Sequence, residues 1–203
     1  MPGTIFANTG FDNYSVANPQ YSASFSPSGA NALESTGTVT LPASDKMTVT
    51  AWIKPSMQQA NTHFNGVFSY GPGGACPIGI DNSFQLGIQG SGIPEFSAWC
   101  DSFLPAGGPA VDRNAWNFIA GELNGSKIDL FLNGLWLNGT IAGTGNLQPG
   151  NIIIGSNGTS AGSGFFNGSI SDVQVYNATL TPQQLLQLYE QGFPIVERVN
   201  ISG

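Results

Sequence analysis

The sequence predicts an all-β domain: two antiparallel sheets stacked as a sandwich, with one short C-terminal helix. Three observations predict it. Short stretches alternating apolar and polar residues recur from about residue 20 to residue 176, separated by turn-forming residues. Small neutral residues stand where charges usually do, with 28 Gly and 13 Pro and only 8% charged residues, against a usual charged share of about 25%. One capped amphipathic segment, and no second one, lies near the C-terminus. The 203 residues suit one all-β domain, and a 40% hydrophobic content is enough for a core, so low charge does not signal disorder here.

Taken in order, Tyr21–Phe25 alternates cleanly before the turn Ser26-Pro27-Ser28-Gly29. Met47–Ile53 reads as a strand stopped by Lys54-Pro55, and Val67–Tyr70 as one stopped by Gly71-Pro72-Gly73-Gly74. Ser83–Ile88 and Glu95–Trp99 are two more. Trp116–Leu123 pairs with Lys127–Leu132 across Asn124-Gly125-Ser126, and Asn133-Gly134 then turns the chain into Leu135–Leu137, a strong hairpin signal. Asn151–Ile154 and Ser169–Tyr176 complete the set. The helix begins at Thr181 as N-cap, with Pro182 at the first helical position and Gln184 at the third, a capping box. Leu185, Leu188 and Tyr189 form its apolar face, which must dock on the sandwich because so short a helix is unstable alone. Gly192 is expected as a left-handed C-cap, with Pro194 barring continuation.

Several function classes are excluded at once. Five basic residues against twelve acidic ones, a net charge of −7, cannot build a phosphate-tracking stripe, so no nucleic-acid partner is expected. No apolar run is long enough to span a bilayer, so no membrane insertion by this segment is expected, and the start shows no signal-peptide pattern. One His and two Cys rule out a four-ligand Cys/His zinc site within the chain. With few acids and fewer bases to pair them, the composition also predicts a fold that survives acid.

The blocks Thr48-Val-Thr-Ala-Trp52-Ile-Lys-Pro55, Asn114-Ala-Trp116-Asn-Phe118-Ile-Ala120, Leu130-Phe-Leu-Asn133-Gly134, Ile153-Ile-Gly155 and Phe166–Thr181 follow one another in a distinctive order. In that order and spacing the chain resembles the laminin G-like, or concanavalin A-like lectin/glucanase, jelly-roll domain, over about Ala32 to Gly192. The resemblance implies roles in sugar binding, cell adhesion, structural spacing or catalysis. It divides the chain into an N-terminal strand and lead-in (1–31), the sandwich (32–192) and a tail or linker (193–203), with neighbouring domains expected in a longer chain. Trp52 and Trp116, placed mid-strand, read as core anchors.

Glycoside hydrolases of this fold carry Glu-x-Asp-x-x-Glu on one strand. Glu34, Glu95, Glu122, Glu190 and Glu197 each lack a carboxylate two residues on, so the chain reads as a non-enzyme, with Glu122 and Asp129 as solvated charges across a hairpin. Many relatives hold calcium through an Asp before the terminal strand, and Asp172 matches that position, making calcium the one cofactor implied. Sugar binding needs aromatic faces beside hydrogen-bonding groups, and Trp99, Trp136, Phe131, Tyr70 and His63 are the candidates, with Phe96 beside them. Phe131 and Trp136 are expected to share a sheet face.

Cys76 and Cys100 sit in Gly/Pro-flanked turns where a disulfide is the simplest use for them. Asn-x-Ser/Thr triplets at Asn13, Asn124, Asn138, Asn157, Asn167, Asn177 and Asn200 are candidate glycan acceptors. Together these features predict an extracellular or cell-surface domain, non-catalytic, that binds a glycan or a surface protein. The alternative expectation is a purely structural spacer or shell module with no small ligand.

Overall fold

The computed structural model describes residues 6–8, 22–26, 32–40, 46–59, 63–71, 84–98, 101–103, 105, 108–140, 149–157 and 164–192. Thirteen strands and one helix are described: β1 (Phe6–Asn8), β2 (Ala23–Phe25), β3 (Leu33–Glu34), β4 (Lys46–Pro55), β5 (Phe64–Gly71), β6 (Phe84–Gln89), β7 (Pro94–Ala98), β8 (Asp101–Phe103), β9 (Asn117–Asn124), β10 (Lys127–Leu132), β11 (Leu135–Thr140), β12 (Asn151–Ile154), β13 (Gly168–Tyr176) and α1 (Pro182–Gly192). A seven-stranded sheet runs β1-β13-β4-β9-β10-β11 with β2 also on β13, and a six-stranded sheet runs β3-β12-β5-β6-β7-β8. This is the two-sheet sandwich expected. The departure from antiparallel order among these strands is β1, which pairs with β13 in parallel.

The central strands β4 and β9 of the seven-stranded sheet are buried along most of both faces, because both faces are covered. In β4, Val49, Ala51 and Ile53 point between the sheets, where they meet Phe68, Phe84, Leu86 and Phe96. The alternate residue Trp52 points away from them into a second apolar layer with Phe118, Phe131, Tyr176, Leu180 and Leu185. Helix α1 closes that second layer. Each large side chain buried this way contributes about 1.5–3 kcal/mol, so the helix is held by its docked face rather than by propensity.

The helix starts as its sequence predicts. Gln184 N–H donates to Thr181 Oγ1 at 3.3 Å, and Thr181 N–H donates back to Gln184 Oε1 at 2.8 Å. Its end differs. Gly192 is the last helical residue and is not left-handed. A Cβ there would stand 2.5 Å from Trp52 Nε1, so the position is glycine because the indole lies against the helix backbone.

Three strands escape sequence reading: β1, β3 and β8 are only two or three residues long, too short to show an alternation. Trp116 precedes β9 rather than sitting in it, half-buried against the second layer. The hairpin at Asn133-Gly134 forms as expected, with both residues at positive φ (47° and 93°). Among the described residues no helix is long and apolar enough to cross a membrane.

Candidate functional site

A sandwich has two outer faces, and here they are unequal. The outer face of the seven-stranded sheet is taken by α1. Tyr189 stacks on Trp52 with ring centroids 5.9 Å apart and meets Phe131 edge-on at 6.4 Å. Phe131 and Trp136 are register partners across β10 and β11, so they do share a face, with centroids 6.4 Å apart. Much of that face lies under the helix. Phe131 is 2% exposed beneath the helix, which corrects its reading as a ligand residue. Trp136 is half-buried, and its indole N–H donates to the Asp129 carboxylate.

The same face holds Glu122, and it is not solvated. It is 5% exposed, faces Thr48 on one side and Asp129 on the other, and accepts the Leu180 amide hydrogen at 2.8 Å and the Thr48 hydroxyl at 3.3 Å. Burial pushes its pKa from 4.5 up to about 7, and the nearby Asp129 carboxylate adds to the rise. Desolvation raises Asp129 as well. The expectation of two solvated charges fails because the segment carrying Ala178 and Leu180, tied down by Thr48 and Glu122, lies over this end of the sheet.

The outer face of the six-stranded sheet is different. Phe68, Leu86 and Phe96 point into the core, so their alternates point out. One outward row runs Glu34–Ile153–Ser69–Gln85–Ser97 across β3, β12, β5, β6 and β7. The next pairs Gly87 with Glu95, and beyond it Phe64 pairs with Gln89. Residues 156–157 lie over part of this face: a Cβ on Gly66 would meet Ser156 C at 2.3 Å, and Gln85 Nε2 donates to the Asn157 carbonyl at 2.9 Å. Beside that wall, Phe64, Gln85, Gln89, Glu95 and Ser97 remain half-exposed.

Phe64 gives the patch its shape. A Cβ on Gly87 would lie 2.6 Å from Phe64 Cζ, so the ring is laid on bare backbone, which only glycine allows. Glu95 stands directly across from Gly87, and Gln89 Nε2 donates to Glu95 Oε2 at 3.3 Å. An aromatic ring resting against a sheet beside a carboxylate, two amides and a hydroxyl offers an apolar surface with hydrogen-bonding groups near it. That combination suits a sugar, whose ring has one apolar face and a rim of hydroxyls.

Of the predicted ligand residues, His63 reaches this region: it is exposed, immediately precedes Phe64, and its carbonyl accepts the Gly90 amide hydrogen at 3.2 Å. Tyr70 and Phe96 do not, since both face the core at 1% and 0% exposure, and the Tyr70 hydroxyl donates to the Val39 carbonyl at 3.2 Å. Their strands alternate as expected, with these two on the inward phase. Trp99 lies outside the described residues, as do Cys76, Cys100, Asn13 and Asn200. Among the other acceptor triplets Asn124 and Asn138 are exposed, while Asn157, Asn167 and Asn177 are half-buried.

Asp172 sits at a bulge in β13, at φ 48°, where pairing on one flank passes from β2 to β1. Gln174 Nε2 donates to both of its carboxylate oxygens at 2.9 Å, and the Tyr176 hydroxyl donates to Gln174 Oε1. Burial raises the Asp172 pKa and pushes Tyr176 up to about 12, with the Asp172 charge contributing to the latter. The Gln174 amide is thus bonded to both carboxylate oxygens that a calcium ion would use, and among the described residues no three of His, Cys, Asp and Glu converge.

A family model described as the concanavalin A-like lectin/glucanases superfamily matches residues 27–186. No curated protein matches the chain. Among solved structures, the native heptameric SAP-like pentraxin of Limulus polyphemus is similar at 18% identity and TM-score 0.57, over 78% of this chain and 75% of that one. The CBM40 domain of the Ruminococcus gnavus IT-sialidase, bound to α2,3-sialyllactose, is similar at 20% identity and TM-score 0.56, over 72% and 84%. Domain 4 of an extracellular arabinanase of Geobacillus stearothermophilus, in complex with arabinotriose, is similar at 18% identity and TM-score 0.52, over 73% and 68%. At these identities the likeness is one of fold.

Proposed function

This chain belongs to the concanavalin A-like lectin/glucanases superfamily, and on that premise we propose that it is a non-catalytic carbohydrate-binding domain. The observation that carries the reading is the patch around Phe64 on the outer face of the six-stranded sheet. There an aromatic ring lies beside Gln89 and Glu95 while the opposite sheet is sealed by a helix. Solved structures of similar fold include one bound to sialyllactose and one bound to arabinotriose, which supports the same class of ligand.

The carboxylates described on this face support binding without cleavage. Hydrolysis of a glycosidic bond uses two of them within about 5–10 Å of each other. Glu95 is the carboxylate of the patch, and Glu34, on the same face, is four strands away on β3, about 19 Å at the usual strand spacing. The reading extends to an extracellular or cell-surface setting, with adhesion as the role and Cys76 and Cys100 bridged. Its supports are the exposed acceptor triplets at Asn124 and Asn138 and the low share of charged residues, 8%.

Retention on immobilised polysaccharides and a printed glycan array test the reading. The wild-type chain is expected to bind, and Phe64→Ala is expected to lose binding while remaining folded, with at most a modest fall in melting temperature. A folded chain that retains no glycan would leave the structural-module alternative standing.

A further inference from the structure

We propose that the Phe64 patch selects uncharged glycans and turns away sugars that carry a carboxylate, such as sialic or uronic acids. The inference rests on the carbohydrate-binding reading of the same face. Recognition of a sugar acid draws on cations or ordered donors aimed at its carboxylate, with Arg the side chain best shaped for it. The charges of this chain are arranged the other way.

Glu95 stands at the centre of the patch, across from Gly87 and beside the Phe64 ring, with Gln89 donating to one of its oxygens. Glu34 adds a second negative charge to the same face. Among the described residues the cations lie elsewhere. Lys46 and Lys54 are on β4 and Lys127 is on β10, all in the opposite sheet. Arg113 is the basic residue nearest this sheet's β6–β7 turn among those described. Its guanidinium donates to the Gly90 carbonyl at 2.6 Å and the Ser56 carbonyl at 3.4 Å, so it is engaged by the turn. His63, at the rim, is the remaining titratable side chain beside Phe64.

A sugar acid laid on Phe64 would therefore set its carboxylate against Glu95, whereas the hydroxyls of a neutral sugar would donate to it. Glu95 as acceptor and the Gln85 and Gln89 amides as mixed donors and acceptors match vicinal hydroxyls. The sialyllactose bound by the Ruminococcus gnavus domain carries the group this patch opposes. Likeness of fold does not carry over likeness of ligand.

The test pairs ligands that differ only in the acid. The full chain is assayed at pH 8 on an array carrying lactose, 3′-sialyllactose, arabinotriose, neutral xylan fragments and their glucuronate-bearing counterparts. Neutral members are expected to bind at least roughly tenfold more tightly than their acidic partners, a like-charge penalty ordinary for one opposed pair. Glu95→Gln, which keeps the side-chain shape, is expected to narrow that gap severalfold, and Gln89→Ala to weaken neutral binding without narrowing it. Equal or tighter binding of the acidic members, lost in Phe64→Ala, would overturn the selectivity and leave the carbohydrate reading intact. Retention of no glycan at all would overturn both.

Discussion

Glu122 and Asp129 sit directly opposite each other across the β9–β10 hairpin, and different parts of the chain hold them. The Leu180 amide donates to Glu122 just before α1, and the Trp136 indole donates to Asp129 from the edge strand β11. Burial raises the pKa of both acids above that of a carboxyl in water. The titration of Glu122 is therefore tied to the seating of the segment that leads into the helix.

Acid should stabilise this protein. The Glu122 pKa is about 7 folded against 4.5 ordinarily, so between those values the folded state binds more protons than the unfolded one. The stability this contributes is fully present below about pH 4.5 and lost as pH rises through 7, on the order of 3 kcal/mol in all. Asp129 and Asp172 shift in the same direction. Melting temperatures are expected to rise by several degrees from pH 8 to pH 5. Glu122→Gln, which keeps an acceptor for Leu180, should flatten that slope. A fall in melting temperature over this interval would refute the account.

Gly192→Ala should destabilise the helix seat even though alanine is the better helix former. The propensity gain is at most about 1 kcal/mol. The new methyl would stand 2.5 Å from Trp52 Nε1, and forcing apart a packed indole costs about 1–3 kcal/mol. Thermal melting checks the sign, with Gln191→Ala, an exposed neighbour, as a control expected to be near neutral.

Chelation should leave the melting curve where it is, because Gln174 already supplies the donors that Asp172 requires. Gln174→Ala is expected to cost about 1–3 kcal/mol by leaving a half-buried carboxylate unsatisfied. A fall in melting temperature with chelator that Asp172→Ala abolishes would establish an ion there instead.

What could be read in the sequence was local. The capping box of Thr181 and Gln184 and the Asn133-Gly134 turn each involve residues within a few positions of one another, and both formed as expected. The two-sheet fold was legible for the same reason, since alternation is a local signal. The patch was not. Phe64 matters because β5 registers against β6, which lays the ring on Gly87 and brings Gln89 beside Glu95. Tyr70 and Phe131 looked equally available, and only the direction of their side chains buried them. Glu122 reads as a surface acid until the chain returns 58 residues later and Leu180 caps it. The left-handed C-cap expected at Gly192 does not form; the position is glycine because of an indole 140 positions earlier, not because of its backbone angle.

The last strand of the sandwich depends on the first two. On one flank β13 bonds to β4, and on the other to β2 at Gly168–Ile170 and to β1 at Gln174–Tyr176. The family match begins at residue 27, after both of those short strands. A domain trimmed to that boundary would thus bare one whole flank of a nine-residue strand at the edge of its larger sheet. Rows of open amide and carbonyl groups on such an edge recruit other chains. Trimmed samples should therefore associate and precipitate where the longer chain stays dispersed, and the residues a sequence match leaves out act here as a guard against self-assembly.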